Sequence, residues 1–301
     1  MVDNVSASSV QSAQHSAQQS RARRMFGVRE IGVLVALLIM AIVLALTTPA
    51  FLNPRNLLNV GRQVSLLGIM AVGMTFVLIA REVDLSIGST FAITGLVTGM
   101  LLLGGWGLPI ALVAGLGAGI VVGLLNGVLS TYGQLPSFIT TLGMMSVVRG
   151  VALLITDGQP IALNSQSGLP AQTLDTFLFL GQGRLFGIIP MQLVFFAIVA
   201  LVGWLILSRT VFGFRIYAVG GSDKAARVSG IKVFNIKIWA FTLMGFLAGL
   251  AGILGFAFLP SSQAGRTGIG LELDVIAATI VGGASLSGGE GTILGTILGV
   301  L

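Results

Sequence analysis

Apolar residues in this chain fall in long unbroken runs, not in the alternation of a half-buried strand. The runs are 31–46, 64–80, 85–104, 108–130, 138–156, 190–208, 238–259 and 272–287. Most approach the ~20 residues with which a helix crosses ~30 Å of hydrocarbon. A last run, 292–301, starts like another span and then stops. We expect that span to be truncated at Leu301, because a backbone cut off inside lipid leaves its last carbonyls unsatisfied. The pattern predicts an all-α, polytopic transmembrane helical bundle over 31–301, of about nine to ten spans with the last one or two truncated. Residues 1–30 are expected to form a disordered cytoplasmic tail, rich in Ser, Gln and Ala and then in Arg. A cleaved signal peptide is the rival reading. The long polar lead and the lack of a clean small-x-small site favour an uncleaved anchor.

Composition supports a lipid environment. Of 301 residues, 55% are hydrophobic and only 9% are charged, against about 25% charged in a soluble domain. The 43 glycines sit among Leu, Ile and Val, where they let helix backbones approach closely. There is no cysteine, and the one histidine, His15, lies in the polar tail. Disulfides, metal sites and Ser-His chemistry are therefore not expected. The net charge of +6 reads as a topology signal, since the basic residues flank spans and do not cluster with aromatics. No nucleic-acid partner is expected. With the N-terminus inside, Arg21, Arg23, Arg24, Arg29, Arg81, Arg209, Arg215, Lys224, Arg227, Lys232 and Lys237 fall on the cytoplasmic side. Arg55, Arg62, Arg184 and Arg266 fall outside, and Arg149 falls within a span. This bias places 209–237 in the cytoplasm and 157–189 outside, where the patch 177–180 can form a short interfacial helix.

Several polar groups stand out. In the segment 217–231, Ser222 can cap a short helix through Lys224-Ala225-Ala226-Arg227-Val228, which Gly230 then stops. The small alanines suit docking into a partner's groove; a solvated basic loop that only enforces topology is the alternative. Asp84, Ser86 and Ser89 lie in or beside a short break between two runs. They either line a substrate path or form a tight turn in which Asp84 caps the next helix. Asn126, Thr140 and Thr141 are polar groups within apolar runs, suited to interhelical hydrogen bonds or to pore lining. Arg149 is too deep to reach water easily, and should pair with Glu272 or Asp274 or with backbone carbonyls. Trp106, Trp204 and Trp239 fall near span ends, as an interfacial aromatic belt requires. Leu286-Ser287-Gly288-Gly289-Glu290 nearly matches the signature peptide of an ABC ATPase. The chain has no G-x-x-x-x-G-K-[ST] phosphate loop, so we read this peptide as a Gly-rich break between membrane helices.

The segment Lys224-Ala225-Ala226-Arg227-Val228-Ser229-Gly230 resembles the EAA-x-x-x-G coupling motif of bacterial ABC importer permeases, with Lys in the place of Glu. Gly73-Met74-Thr75, Val83-Asp84-Leu85-Ser86-Ile87-Gly88-Ser89, Asn126-Gly127 and Thr141-Leu142-Gly143-Met144 resemble the ribose/xylose-type monosaccharide permeases. So do Ala218-Val219-Gly220-Gly221, Glu272-Leu273-Asp274-Val275-Ile276-Ala277-Ala278 and Gly282-Gly283-Ala284-Ser285-Leu286. That family often has Gly-Gly before its Asp-Leu-Ser, where this chain has Arg81-Glu82-Val83-Asp84. The resemblance implies a non-catalytic subunit of the bacterial inner membrane that imports a monosaccharide by alternating access. It implies two ABC ATPase subunits carrying the ATP and Mg, a periplasmic sugar-binding protein, and a second permease copy or a sister permease. Gly220, Gly221, Asp223, Lys224, Ala225, Ala226, Arg227 and Gly230 would then contact the ATPase. An ion-coupled secondary transporter or channel, and an ABC permease for another small solute such as an amino acid, are the alternatives. A membrane-embedded enzyme fits less well, since the chain lacks a His, Cys or clustered-carboxylate constellation.

Overall fold

The computed structural model describes residues 28–301. The tail expected over 1–30 lies outside the described residues as far as 27; Val28, Arg29 and Glu30 open the first helix. Twelve helices follow one another among the described residues. They are α1 (Val28–Thr47), α2 (Pro54–Ile79), α3 (Ile87–Leu103), α4 (Leu108–Thr131), α5 (Ser137–Ile155) and α6 (Ala171–Gln182). After these come α7 (Met191–Arg209), α8 (Val211–Gly221), α9 (Asp223–Val228), α10 (Val233–Phe258), α11 (Leu271–Val281) and α12 (Ile293–Val300). Proline sets several of the starts. Pro54 opens α2 behind the cap Asn53, while Pro136, Pro170 and Pro190 occupy the cap positions of α5, α6 and α7. At a helix start the missing N–H costs nothing, and the ring presets φ.

Five helices, α2, α4, α5, α7 and α10, are long and apolar enough to cross a membrane. The chain is thus a multi-pass membrane protein; against the nine to ten spans expected, five helices meet that length among the described residues, and others, such as α3, are shorter. The run 272–287 yields only the eleven residues of α11 before Gly282 and Gly283 end it. That helix is about 16 Å long, roughly half a bilayer. Nor is the fold helical throughout. The pairs β1 (Ile161–Ala162) with β4 (Ser261–Ser262), and β2 (Arg184–Leu185) with β3 (Ile189–Pro190), form short antiparallel ladders. The patch 177–180 belongs to the longer α6, whose Phe177 is fully buried against Phe256 rather than lying at an interface.

α2 and α10, at 26 residues each, form the centre of the bundle. The main apolar cluster joins them through Met70, Met74, Phe241 and Met244. α10 also packs along α4, and glycine makes that contact possible. A Cβ on Gly119 would come 2.5 Å from the Gly245 carbonyl, and one on Gly123 would strike the Phe241 carbonyl. Only hydrogens on these faces allow the backbones to meet. Helix ends then gather in two layers. At the end we call proximal, Ile79, Thr131, Ser137, α8, α9 and the start of α10 meet; the opposite, distal end carries residues 156–190.

Gly123→Val is expected to separate α4 from α10 and to destabilise the bundle by about 3 kcal/mol. Gly117→Ala, where a Cβ meets nothing within 4 Å, should be neutral. Thermal unfolding in detergent measures both.

Candidate functional site

The proximal end brings the chemistry together. Thr210 caps α8 by accepting from the Gly213 N–H at 3.2 Å. α8 ends with Gly220 pressed on the end of α2, where any Cβ would collide with the Ile79 carbonyl. Ser222 leaves the helical region (φ −164, ψ 109), and its Oγ accepts from the Ala225 N–H at 3.3 Å to start α9. Gly230, at φ +79, turns the chain away. The Ile231 N–H donates to the Ala226 carbonyl at 3.0 Å, the closure of a helix ended by left-handed glycine. Ala226 faces inward at 3% exposure, while Val228 stands 90% exposed beside the exposed Lys224, Ala225 and Arg227. The Arg227 guanidinium stacks 4.7 Å over the Phe234 ring, which meets Tyr132 at the end of α4 edge-on at 5.2 Å.

Lys237, in the second turn of α10, is the hub of this end. Its Nζ lies 2.7 Å from Glu82 Oε1 and 2.9 Å from Asp223 Oδ2. One ammonium thus ties the first residue of α9 to the connection between α2 and α3. The lysine and Glu82 side chains are only 12% and 14% exposed, so water replaces little of that contact.

That connection, residues 80–86, is not helical, and its polar atoms are satisfied by neighbouring spans. Asp84 Oδ1 accepts from the Ser86 N–H at 2.8 Å and from the Ser86 hydroxyl at 2.7 Å. Asn126 on α4 donates to Ser86 Oγ at 2.8 Å and, more distantly at 3.4 Å, to both Asp84 oxygens. From α5, Thr141 Oγ1 accepts from the Leu85 N–H at 3.0 Å and Ser137 Oγ from the Val83 N–H at 3.2 Å. Ser89 donates to the Ser86 carbonyl at 2.8 Å. Asp84, Ser86, Ser89, Asn126 and Thr141 are therefore one buried knot that closes this end. Thr140 does not join it and bonds to the Pro136 carbonyl of its own helix. The Asp84–Ser86 contacts are those of the tight turn expected ahead of α3, and Asn126 ties that turn to α4 as well. Arg81 precedes the knot at φ +63, a left-handed conformation that glycine adopts without strain.

The expected ion pairs of Arg149 are not present. Its Nη1 donates to the carbonyls of Ala264, at 2.8 Å, and Thr267, at 2.6 Å. Glu272 instead has a buried oxygen without a partner, and Asp274 is exposed. The carbonyls win because residues 263–270 leave regular structure inside the bundle, and their freed acceptors need a donor. The ATPase-like peptide is a turn-rich break, as read from the sequence. The Gly289 N–H donates to the Ile79 carbonyl at 2.9 Å, and the Tyr217 hydroxyl to the Gly291 carbonyl at 2.6 Å.

Sequence reasoning missed Glu82 as a partner and Lys237 as a hub. Lys237 stood out only as a cation at the start of a span. No local signal pairs it with a carboxylate more than a hundred residues earlier.

The family described as branched-chain amino acid transport system / permease component matches residues 56–301. Ribose import permease protein RbsC of Bacillus subtilis is 38% identical over 274 residues, covering 91% of this chain and 82% of that protein. The Escherichia coli protein of the same name is 41% identical over 268 residues, covering 89% and 81%. L-arabinose ABC transporter permease protein AraH of Azospirillum brasilense is 38% identical over 273 residues, covering 90% and 76%. No solved structure matches the chain significantly.

Lys237→Met should leave Glu82 and Asp223 facing each other without a cation and cost about 2 kcal/mol. Thermal unfolding of Lys237→Met, Glu82→Gln and the double variant forms a cycle that isolates the pair. Additive losses would mean that the contact carries no stability of its own.

Proposed function

We infer the function of this chain from the family to which it belongs, the branched-chain amino acid transport system / permease component. It is the membrane-spanning subunit of an ABC importer for a sugar. The cargo we assign is a monosaccharide of the ribose or arabinose kind, following the relatives that cover most of the chain. An ion-coupled transporter is not favoured by these likenesses.

In this reading the proximal end faces the cytoplasm and the N-terminus lies on that side. The excess of Lys and Arg over 209–237 supports that orientation. Two ATPase subunits, which carry the ATP and Mg, bind the exposed face of α9, one on each of two permease copies. The distal residues 157–189, joined through β1 to Ser261 and Ser262 of β4, receive an external sugar-binding protein. No covalent chemistry takes place in this chain.

The observation that carries the reading is the link through Lys237. A displacement of α9 pulls on Asp223, then on Lys237, and through Glu82 on the connection that holds Asp84. Closure of the ATPase dimer on ATP would therefore strain the knot at Asp84, Ser86 and Asn126, whose opening exposes the inner side of the path. This is rocking of packed helices about a fixed site.

Val228→Glu tests the contact without touching the core, because that side chain is 90% exposed. With the ATPase subunit co-expressed, the variant should assemble normally in the membrane and lose about tenfold in ATPase recovered, roughly 1.4 kcal/mol of binding. Uptake of labelled ribose or arabinose should fall in parallel. Full recovery with undiminished uptake would remove α9 from the contact.

A further inference from the structure

One stretch of the chain crosses the bundle in two dissimilar halves. After α10 ends at the distal side, Ser261 and Ser262 pair with β1. The chain then descends without helix through residues 263–270 and completes the crossing as α11. Arg149 fixes the depth of the descent. It lies about 18 Å along α5 from Ser137 and about 9 Å short of Ile155, at 1.5 Å per residue. Its guanidinium holds the Ala264 and Thr267 carbonyls. Ala264 is fully buried among Ile93, Leu96, Met144 and Val148, from the interior of α3 and α5. Gly268 and Gly88 then meet backbone to backbone, and α11 runs on to the proximal layer. Residues 263–274 therefore form an interrupted crossing, part irregular and part helical, within the membrane.

The outward side of this segment is mixed: Ile269 and Leu273 are 66% and 65% exposed, but charged and amide groups stand beside them. Gln263, Arg266 and Asp274 are all exposed. Among the described residues, neither Arg266 nor Asp274 has an ion-pair partner. A bare carboxylate on a short side chain cannot reach the headgroups from inside a half-helix, and exposed irregular backbone does not face hydrocarbon. Such groups face water or another polypeptide. Against a second permease copy alone, an unpaired Asp and Arg would be as costly as in lipid. A water-filled channel between the two copies removes that cost.

We propose that Gln263, Arg266 and Asp274 line the sugar path, which runs between the interrupted crossings, residues 263–274, of two permease copies. The proposal rests on the sugar-importer reading above and adds the residues that meet the cargo. Sugar hydroxyls both donate and accept. Arg266 and the Gln263 amide supply donors, and the Asp274 carboxylate and the Gln263 carbonyl supply acceptors. Charged groups in water offer weak, exchangeable contacts to a neutral polyol, so it is guided without being trapped. Arg149 is a positioning residue here, since it holds the carbonyls of the segment and leaves its face to the path.

The chain has no cysteine, so single cysteines report directly. Gln263→Cys, Arg266→Cys and Asp274→Cys are made in the complete importer, in membrane vesicles. They are treated with a charged, membrane-impermeant methanethiosulfonate. Val113→Cys, on the exposed apolar face of α4, is the reference. A thiol in the path ionises in water and should react at least about tenfold faster than the reference. Modification should also abolish ATP-driven monosaccharide uptake. Rates equal to the reference would overturn the proposal, and so would complete modification with uptake intact. Co-purified ATPase reports the fold of each variant. If Asp274→Cys does not assemble, the other two positions read the same wall. The labelling rates need no cargo, whereas uptake by the unmodified parent tests the sugar reading, so the two ideas can fail separately.

Discussion

Inside a bilayer every backbone polar group must find its partner within the protein, and this architecture turns on the two places where the chain leaves the helix and still has to obey. At residues 80–86 the partners are Ser137, Thr141 and Asn126, drawn from α4 and α5. At residues 263–270 Arg149 supplies the donors, also from α5. The polar side chains that look out of place in apolar runs are therefore the ones that permit the breaks. These breaks can rearrange without unravelling a span.

Rigidity and movement are assigned to different contacts. Along the α4–α10 seam, glycine faces bring backbones into contact over several turns, leaving no room to slide without loss. At the proximal end the contacts are polar and few. α9 is tied by one capping serine, one arginine stacked on a phenylalanine, and one lysine shared between two carboxylates. The exposed contacts of α9, its serine cap and its arginine stack, can be exchanged at small cost, whereas a dry glycine seam cannot. A machine that must transmit a push through a stable bundle needs both.

The two breaks also stand in contact. Gly88, two residues beyond Ser86, packs on Gly268, and a Cβ on Gly88 would come 2.6 Å from a Glu272 oxygen. The knot and residues 263–274 thus share a backbone-to-backbone contact. Strain placed on the first is felt by the second without any long lever.

Much of this was legible in the chain. The runs of membrane length, the bias of Lys and Arg, and the caps Ser222 and Gly230 of α9 follow from local rules, because period, charge and turn chemistry act over a few residues. Ordered motif resemblance likewise pointed to a permease of sugar type, and the relatives agree. Tertiary structure alone decided the rest. An apolar run from 272 reads as a span, yet half of that crossing is made by non-helical residues, since burial among α3 and α5 and a donor from Arg149 make irregular backbone affordable there. Lys237 was a topology marker in the sequence and became a hub because folding set Glu82 and Asp223 within 3 Å of it. Hydropathy records what a residue costs in lipid. Which partner offsets that cost depends on segments distant in sequence, and only packing brings those together.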